Sequence, residues 1–281
     1  MKTWLKWLQP FLVPLLLPIL FLLLWDVVAA RVNNEIILPR LENVLTLLSH
    51  PNDNLLSMGS LFVNIGISLS RVLAGYLLAV FIAVPLGLCM GYFRLAGQLF
   101  SGFLGLFRAV PPLAWVPLVL AWFGVASLAT IFDLPIGKTY IFLNNIKISM
   151  VFIIFVGAFY PVLTSAMHGV STVPNTFLDA ARVLGANQMG LFRKVLLPAA
   201  APSIVNGLRI GLGVAWMCLV SAEMLPGSIS GVGYLITHAY TMAQTDIVIA
   251  GMVSIGVIGA LMDMLFRQFE KRYFAWGRLV R

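Results

Sequence analysis

Five charged side chains fall in or beside long apolar runs: Arg71, Arg108, Arg209, Glu223 and Asp263. A charge surrounded by hydrocarbon is costly, so such a residue is a functional candidate by default, facing a partner, a cavity or a path for an ion. Arg71 and Asp263 also fit a plainer reading, as side chains that snorkel from the ends of apolar helices. Arg108 precedes Val110-Pro111-Pro112, which should break a helix and free backbone groups to line a path. Arg209 and Glu223 are fourteen residues apart, about 21 Å along a straight helix, and cannot pair along it. Arg108 and Arg209 together would make part of a path electropositive and suited to an anion; pairing of each with carbonyls is the competing expectation. Trp115, Trp122 and Trp216 could touch a solute, although aromatic residues in apolar runs more often pack or anchor at interfaces.

Other chemistries lack their residues. His50, His168 and His238 are scattered without metal-ligand spacing, so no metal site is expected. Cys89 and Cys218 lie inside apolar stretches and read as small core residues. Neither HExxH nor GxSxG occurs, and no convergent catalytic group is expected. Gly137-Lys138-Thr139 resembles the end of a phosphate loop, but that loop needs a glycine five residues earlier, and position 132 is Phe. Nucleotide chemistry is therefore not expected on this chain.

The elements that must position these residues are membrane helices. Only 10% of the 281 residues are charged and 60% are hydrophobic, against about 25% charged in soluble domains. Apolar runs near 8–30, 61–92, 102–126, 140–166, 204–225 and 246–266 give about six spans. They are too long and continuous for barrel strands, so an all-α integral membrane bundle is expected. The first run exceeds a signal-peptide core and reads as a retained span. Residues 1–60 form a first unit, a span followed by an amphipathic outer segment with Pro39 near its helix start; 61–281 form the core. No internal repeat is evident. The net charge of +8 is spread between apolar blocks, with no basic-aromatic face for nucleic acid. With the N-terminus inside, eleven Lys and Arg fall on the inner side and four (Arg31, Arg40, Lys138 and Lys147) on the outer side. That bias predicts both termini in the cytoplasm. The outer stretch 226–245, with Pro226, Gly227, Gly231 and Gly233, could dip back into the bilayer if buried in protein.

The longest inner loop reads LDAARVLGANQMGLFRKVLLPAAAPSIVNGLRIGLG. It predicts two short helices around a turn. Thr176 and Asp179 fit a capping box, Gly185 a left-handed C-cap, Asn187 the cap of the second helix, and Pro198 its end. A compact hairpin of this kind suits a groove in another protein.

Here the sequence resembles a family, the permeases of binding-protein-dependent ABC importers, whose EAA loop has this spacing. The matching positions are Asp179, Ala180, Ala181, Gly185, Val195, Leu197 and Pro198, with Asp in place of the usual Glu and Val in place of Ile. The runs SLSRVLAGYLLAV, FRAVPPLAWVPLVLAWFG and GLRIGLGVAWMCLVSAEM resemble the nitrate, taurine, sulfonate and bicarbonate branch, and the likeness covers the chain from about residue 61. The stretch 127–147 departs from it as a longer link. The resemblance implies a type I importer fold with the coupling hairpin at about 175–198. It implies a second permease copy forming a homodimer, two cytosolic ATPase subunits that carry ATP and magnesium, and a periplasmic binding protein. The cargo it implies is a small anion: sulfonate or taurine, nitrate, or bicarbonate. The site residues expected along the path are Arg108, Pro111, Pro112, Trp115, Arg209 and Glu223. A stand-alone secondary transporter or channel is the alternative; it predicts carboxylate or His relays in the spans, few of which are present. An intramembrane enzyme would need the catalytic cluster that is missing.

Overall fold

The computed structural model describes residues 2–224 and 227–274, with side chains from residue 16 onward. The side chains of Lys2 and Lys6, and the whole of Pro226, Arg278 and Arg281, lie outside the described residues. The fold is helical: α1 (Lys2–Val32), α2 (Leu41–Ser49), α3 (Leu61–Tyr92), α4 (Arg94–Arg108), a 3-10 turn (Pro112–Trp115), α5 (Val116–Phe123), α6 (Leu128–Ile131), α7 (Lys138–Asn144), α8 (Ile148–Ser171), α9 (Asn175–Val183), α10 (Gln188–Gly190), a π-helical stretch (Leu191–Leu196), α11 (Leu197–Glu223), α12 (Val232–Thr241) and α13 (Thr245–Tyr273).

Among the described residues four helices are long and apolar enough to cross a membrane: α3, α8, α11 with its lead-in from Gln188, and α13. The pair α4 and Pro112–Phe123 qualifies together but bends by 82°. α1, 31 residues long, supplies the first apolar run. The six expected runs are thus helical, with three corrections. The third run starts at Arg94 and is broken at Pro111-Pro112, because proline has no N–H to continue the helix. The fourth starts at Ile148, not near 140, because Asn144, Asn145 and Lys147 interrupt the pattern. The fifth is joined without a break to the hairpin before it, rather than starting at 204.

The core is α8 clasped between α3 and α11. Val72, Tyr76 and Ala79 of α3 meet Ile154, Ala158 and Val162 of α8 and Ala215 and Leu219 of α11. Lipid is as apolar as leucine, so close packing of small residues holds such helices. A Cβ on Gly75 would lie 2.7 Å from the Ile154 side chain, and one on Gly211 2.7 Å from Val162. The Tyr76 hydroxyl donates to the Leu208 carbonyl at 2.9 Å, tying α3 to α11.

The starts of α3 and α8 lie beside the end of α11, through Arg71, Asn145 and Glu223. The far end of α3 meets the lead-in to α11, where the Tyr92 hydroxyl donates to Gln188. Hence α11 runs antiparallel to both neighbours. α1 stands apart, its Leu17, Phe21 and Leu23 exposed, with the Trp25 indole donating to the Pro39 carbonyl. Residues 127–147 form an excursion whose neck is closed by Ser127 and Lys147 as an antiparallel bridge and by the Leu128 N–H on the Ile146 carbonyl.

Candidate functional site

The hairpin is built much as its residues dictate. α9 ends in the two-bond Schellman arrangement: Gly185 N–H to Arg182 O at 2.9 Å and Ala186 N–H to Ala181 O at 3.0 Å. Gly185 sits at φ +82°, a left-handed conformation costly for other residues. Asn187 caps α10 by accepting from Gly190 N–H at 2.8 Å. Two expectations fail. Pro174, in extended backbone, is the N-cap of α9, so Thr176 already lies inside the first turn and caps nothing. Asp179 instead accepts from Arg182 at 2.8 Å, an exposed pair one turn apart. Pro198 does not end the second helix either. The π-helical stretch bonds Leu197 N–H to Phe192 O five residues back, and Pro198 falls in the first turn of α11, where a missing N–H is tolerated.

The hairpin has two faces. Leu178, Phe192 and Leu197 pack on a cluster of Ala166, Val170, Leu196 and Ala200, fixing its base to α8 and α11. Ala181 and Val195 are half-buried, while Ala180 is exposed. The tip points outward: Val183 is 88% and Leu184 87% exposed, with Phe177 and Met189 also bare. Two adjacent apolar side chains at a rigid turn form a contact surface that no other described residue covers.

At the other end of α11 the charges are buried. Arg71 donates to Glu223 at 2.6 Å, and neither side chain is more than 1% exposed. Arg71 is therefore no snorkelling residue; four of its five guanidinium N–H groups are bonded within the protein. Its Nε donates to Asn145 O at 2.7 Å, Nη1 to Ser230 O at 2.8 Å and Nη2 to Ser230 Oγ at 2.9 Å. Glu223 also accepts from Ser68 at 2.8 Å and from Gly233 N–H at 3.0 Å, at the start of α12. A helix N-terminus favours such a carboxylate. Asn64 accepts from Gly231 N–H at 2.8 Å. Within the stretch expected to dip back, α12 packs into the protein, with Val232, Leu235 and Ala239 buried. Beside the network, burial and the Arg71 charge hold the Lys147 ammonium below the usual lysine range.

Of these residues the sequence reading singled out Arg71 and Glu223 but did not join them, and it missed Asn64, Ser68, Asn145 and Ser230. Asn64, Ser68 and Arg71 recur at one-turn spacing on a single face of an apolar helix, which is a legible signal of a buried polar network.

The remaining path candidates divide. Arg108 is exposed in the last turn of α4, just before the proline break. Trp115 stands past that break against Phe107 and Phe152, its indole nitrogen buried without a hydrogen-bond partner. Arg209 donates to Asp263 at 2.6 Å and lies 3.7 Å from Glu270, while Asp263 also accepts from Arg267. Two cations and two carboxylates cancel there, so Arg209 adds no free positive charge. Trp216 donates to Ile255 O and serves packing. Among the described residues no group of three His, Cys, Asp or Glu could hold a metal.

The family described as binding-protein-dependent transport system inner membrane component matches residues 75–275. The chain belongs to this family. It is a membrane-spanning permease subunit of an ABC importer. A Methanocaldococcus jannaschii protein named as an ABC transporter permease is 44% identical over 94% of this permease and 92% of its own length. The taurine transport system permease of Escherichia coli is 32% identical over 92% and 87%. The bicarbonate transport system permease of Synechococcus elongatus is 30% identical over 98% and 91%. Among solved structures, an inward-facing MetNI methionine ABC transporter matches with TM-score 0.55 at 18% identity, covering 74% of this permease and 95% of that chain. At that identity the likeness establishes the type I importer fold alone.

Proposed function

We propose that this permease works as one of a pair, driven by two separate cytosolic ATPase subunits that bind ATP and magnesium and receive the 175–198 hairpin. Both termini then lie in the cytoplasm, and a binding protein delivers a small anion to the opposite side. The observation that carries this reading is the outward apolar tip, Val183 and Leu184, on a hairpin whose base is fixed to α8 and α11. A rigid knob of this kind transmits force to the helices on which it stands. The relatives named for taurine and bicarbonate support a small oxyanion as cargo, an organosulfonate first, with nitrate or bicarbonate close behind. Arg108, exposed at the Pro111-Pro112 break beside Trp115, is the residue that meets it.

The test is copurification of the tagged full-length chain with the ATPase subunits it is expressed with. Leu184→Asp should leave the chain in the membrane at wild-type amount and strip the ATPase from it. A Leu184→Asp chain that retains its ATPase, or a wild-type chain that never binds one, sinks the reading.

A further inference from the structure

The buried network joins segments far apart in sequence and sits at the opposite end of α11 from the hairpin. From Gln188 to Glu223 the helix runs for 36 residues without a gap, the π-helical stretch and Pro202 included, about 54 Å at 1.5 Å per residue. Glu223 is its last helical residue. Three other segments hold on to that residue and its partner: α3 through Arg71 and Ser68, the strap 227–231 with the start of α12 through Ser230 and Gly233, and the base of the 127–147 excursion through Asn145. Ser230 closes the ring by donating to the Asn145 side chain at 2.9 Å.

The chemistry makes this junction all-or-none. A guanidinium presents its donors in a rigid planar fork, so its bonds to Glu223, Ser230 and Asn145 fix one geometry. No water reaches the pair to replace a broken bond, and a separated buried charge is strongly penalised. A shift of Glu223 therefore either carries the strap with it or is resisted. The strap is suited to being carried: Gly227 at φ +98° and Gly231 at φ +103° bracket it, and Ile229 between them is 59% exposed.

We propose that Arg71 and Glu223 are positioning residues that convert displacement of α11 into movement of the strap 227–231 and the base of the 127–147 excursion. This rests on the reading of the hairpin as the ATPase contact. Nucleotide closure of the ATPases moves the hairpin, α11 moves as one rod, and the network passes that motion to the face where solute enters.

The experiment uses the full transporter in lipid nanodiscs, which leave both faces open to reagents, with Cys89→Ala to remove the half-buried thiol and Ile229→Cys to place a reporter. Alkylation by a membrane-impermeant maleimide is timed without nucleotide and after trapping with ATP, magnesium and vanadate. In this background trapping should change the rate about fivefold or more, the lower range of an allosteric coupling. Adding Ser230→Ala, which deletes one hydroxyl, or Glu223→Gln should bring the two rates within about twofold while nucleotide is still trapped. An undiminished ratio in both variants overturns the proposal, as does an absence of any change in the parent. Failure of Ser230→Ala to assemble with the ATPase also overturns it, by showing a junction that only holds the fold. A second reporter, Val183→Cys, separates the two readings: it should be shielded by the ATPase before nucleotide is added. Loss of that shielding defeats the docking reading and this proposal with it; intact shielding with an unaffected strap defeats this proposal alone.

Discussion

Arg71 and Glu223, 152 positions apart in the chain, meet at 2.6 Å in a site closed to solvent. An ion pair so placed has paid the desolvation of both charges, and its attraction offsets that cost only while both partners are present. Arg71→Met alone should therefore destabilise the permease by about 3–5 kcal/mol. The double variant Arg71→Met with Glu223→Leu should recover a large part of that loss. Thermal unfolding of the detergent-solubilised chain measures both; a double variant as weak as the single one contradicts the argument.

Two of the positive-φ glycines, Gly185 and Gly231, should differ in tolerance. Gly185 has open space where a Cβ would go, so Gly185→Ala carries only the backbone term, about 1–2 kcal/mol, confined to the hairpin. At Gly231 a Cβ would lie 2.5 Å from Glu223 Cδ and 2.6 Å from Arg71 Nη1. Gly231→Ala should lower the midpoint of thermal unfolding well beyond Gly185→Ala. Equal shifts would mean that the network yields freely.

Asp179 and Arg182 form an exposed pair, worth less than about 1 kcal/mol. Asp179→Asn should leave thermal stability unchanged. If the carboxylate contacts an ATPase, the same variant reduces copurified ATPase; if it serves only the helix, it does not.

Arg209 and Arg108 should respond differently to loss of charge. Arg209→Gln frees Asp263 and Glu270 from one cation, and Asp263→Asn in the same chain should restore the balance and recover stability. Arg108→Gln should leave stability unchanged and lower the uptake of an anionic solute about tenfold, the charge being offered to the path rather than to a partner. Uptake by Arg108→Gln at the wild-type rate removes Arg108 from the path.

Much of this arrangement was legible in the residues, where it rests on local rules. Gly185 and Asn187 specify their turn and cap through backbone chemistry alone, and Pro111-Pro112 specify a break. What local rules could not carry is pairing across the bundle. Arg71 looked like a residue at a span end because a single helix does not reveal that α11 brings Glu223 to it. Pro198 looked like a terminator because one missing N–H normally ends a helix; the π-helical stretch before it ends on Leu196, which is drawn into the α8 cluster together with Phe192. Asp179 fits a capping spacing, but Pro174 set the helix start earlier than Thr176 allowed.

The π-helical stretch Leu191–Leu196 also sets the compass bearing of the hairpin. Its wider turns, bonded five residues back, absorb about one residue more than α turns would, so the same six residues wound as ordinary α-helix would swing the knob about 100° around the long axis of α11, since each α-helical residue turns by that angle. The same permease body could thus be re-aimed toward a differently shaped motor by a change of winding that alters no side chain of the contact itself.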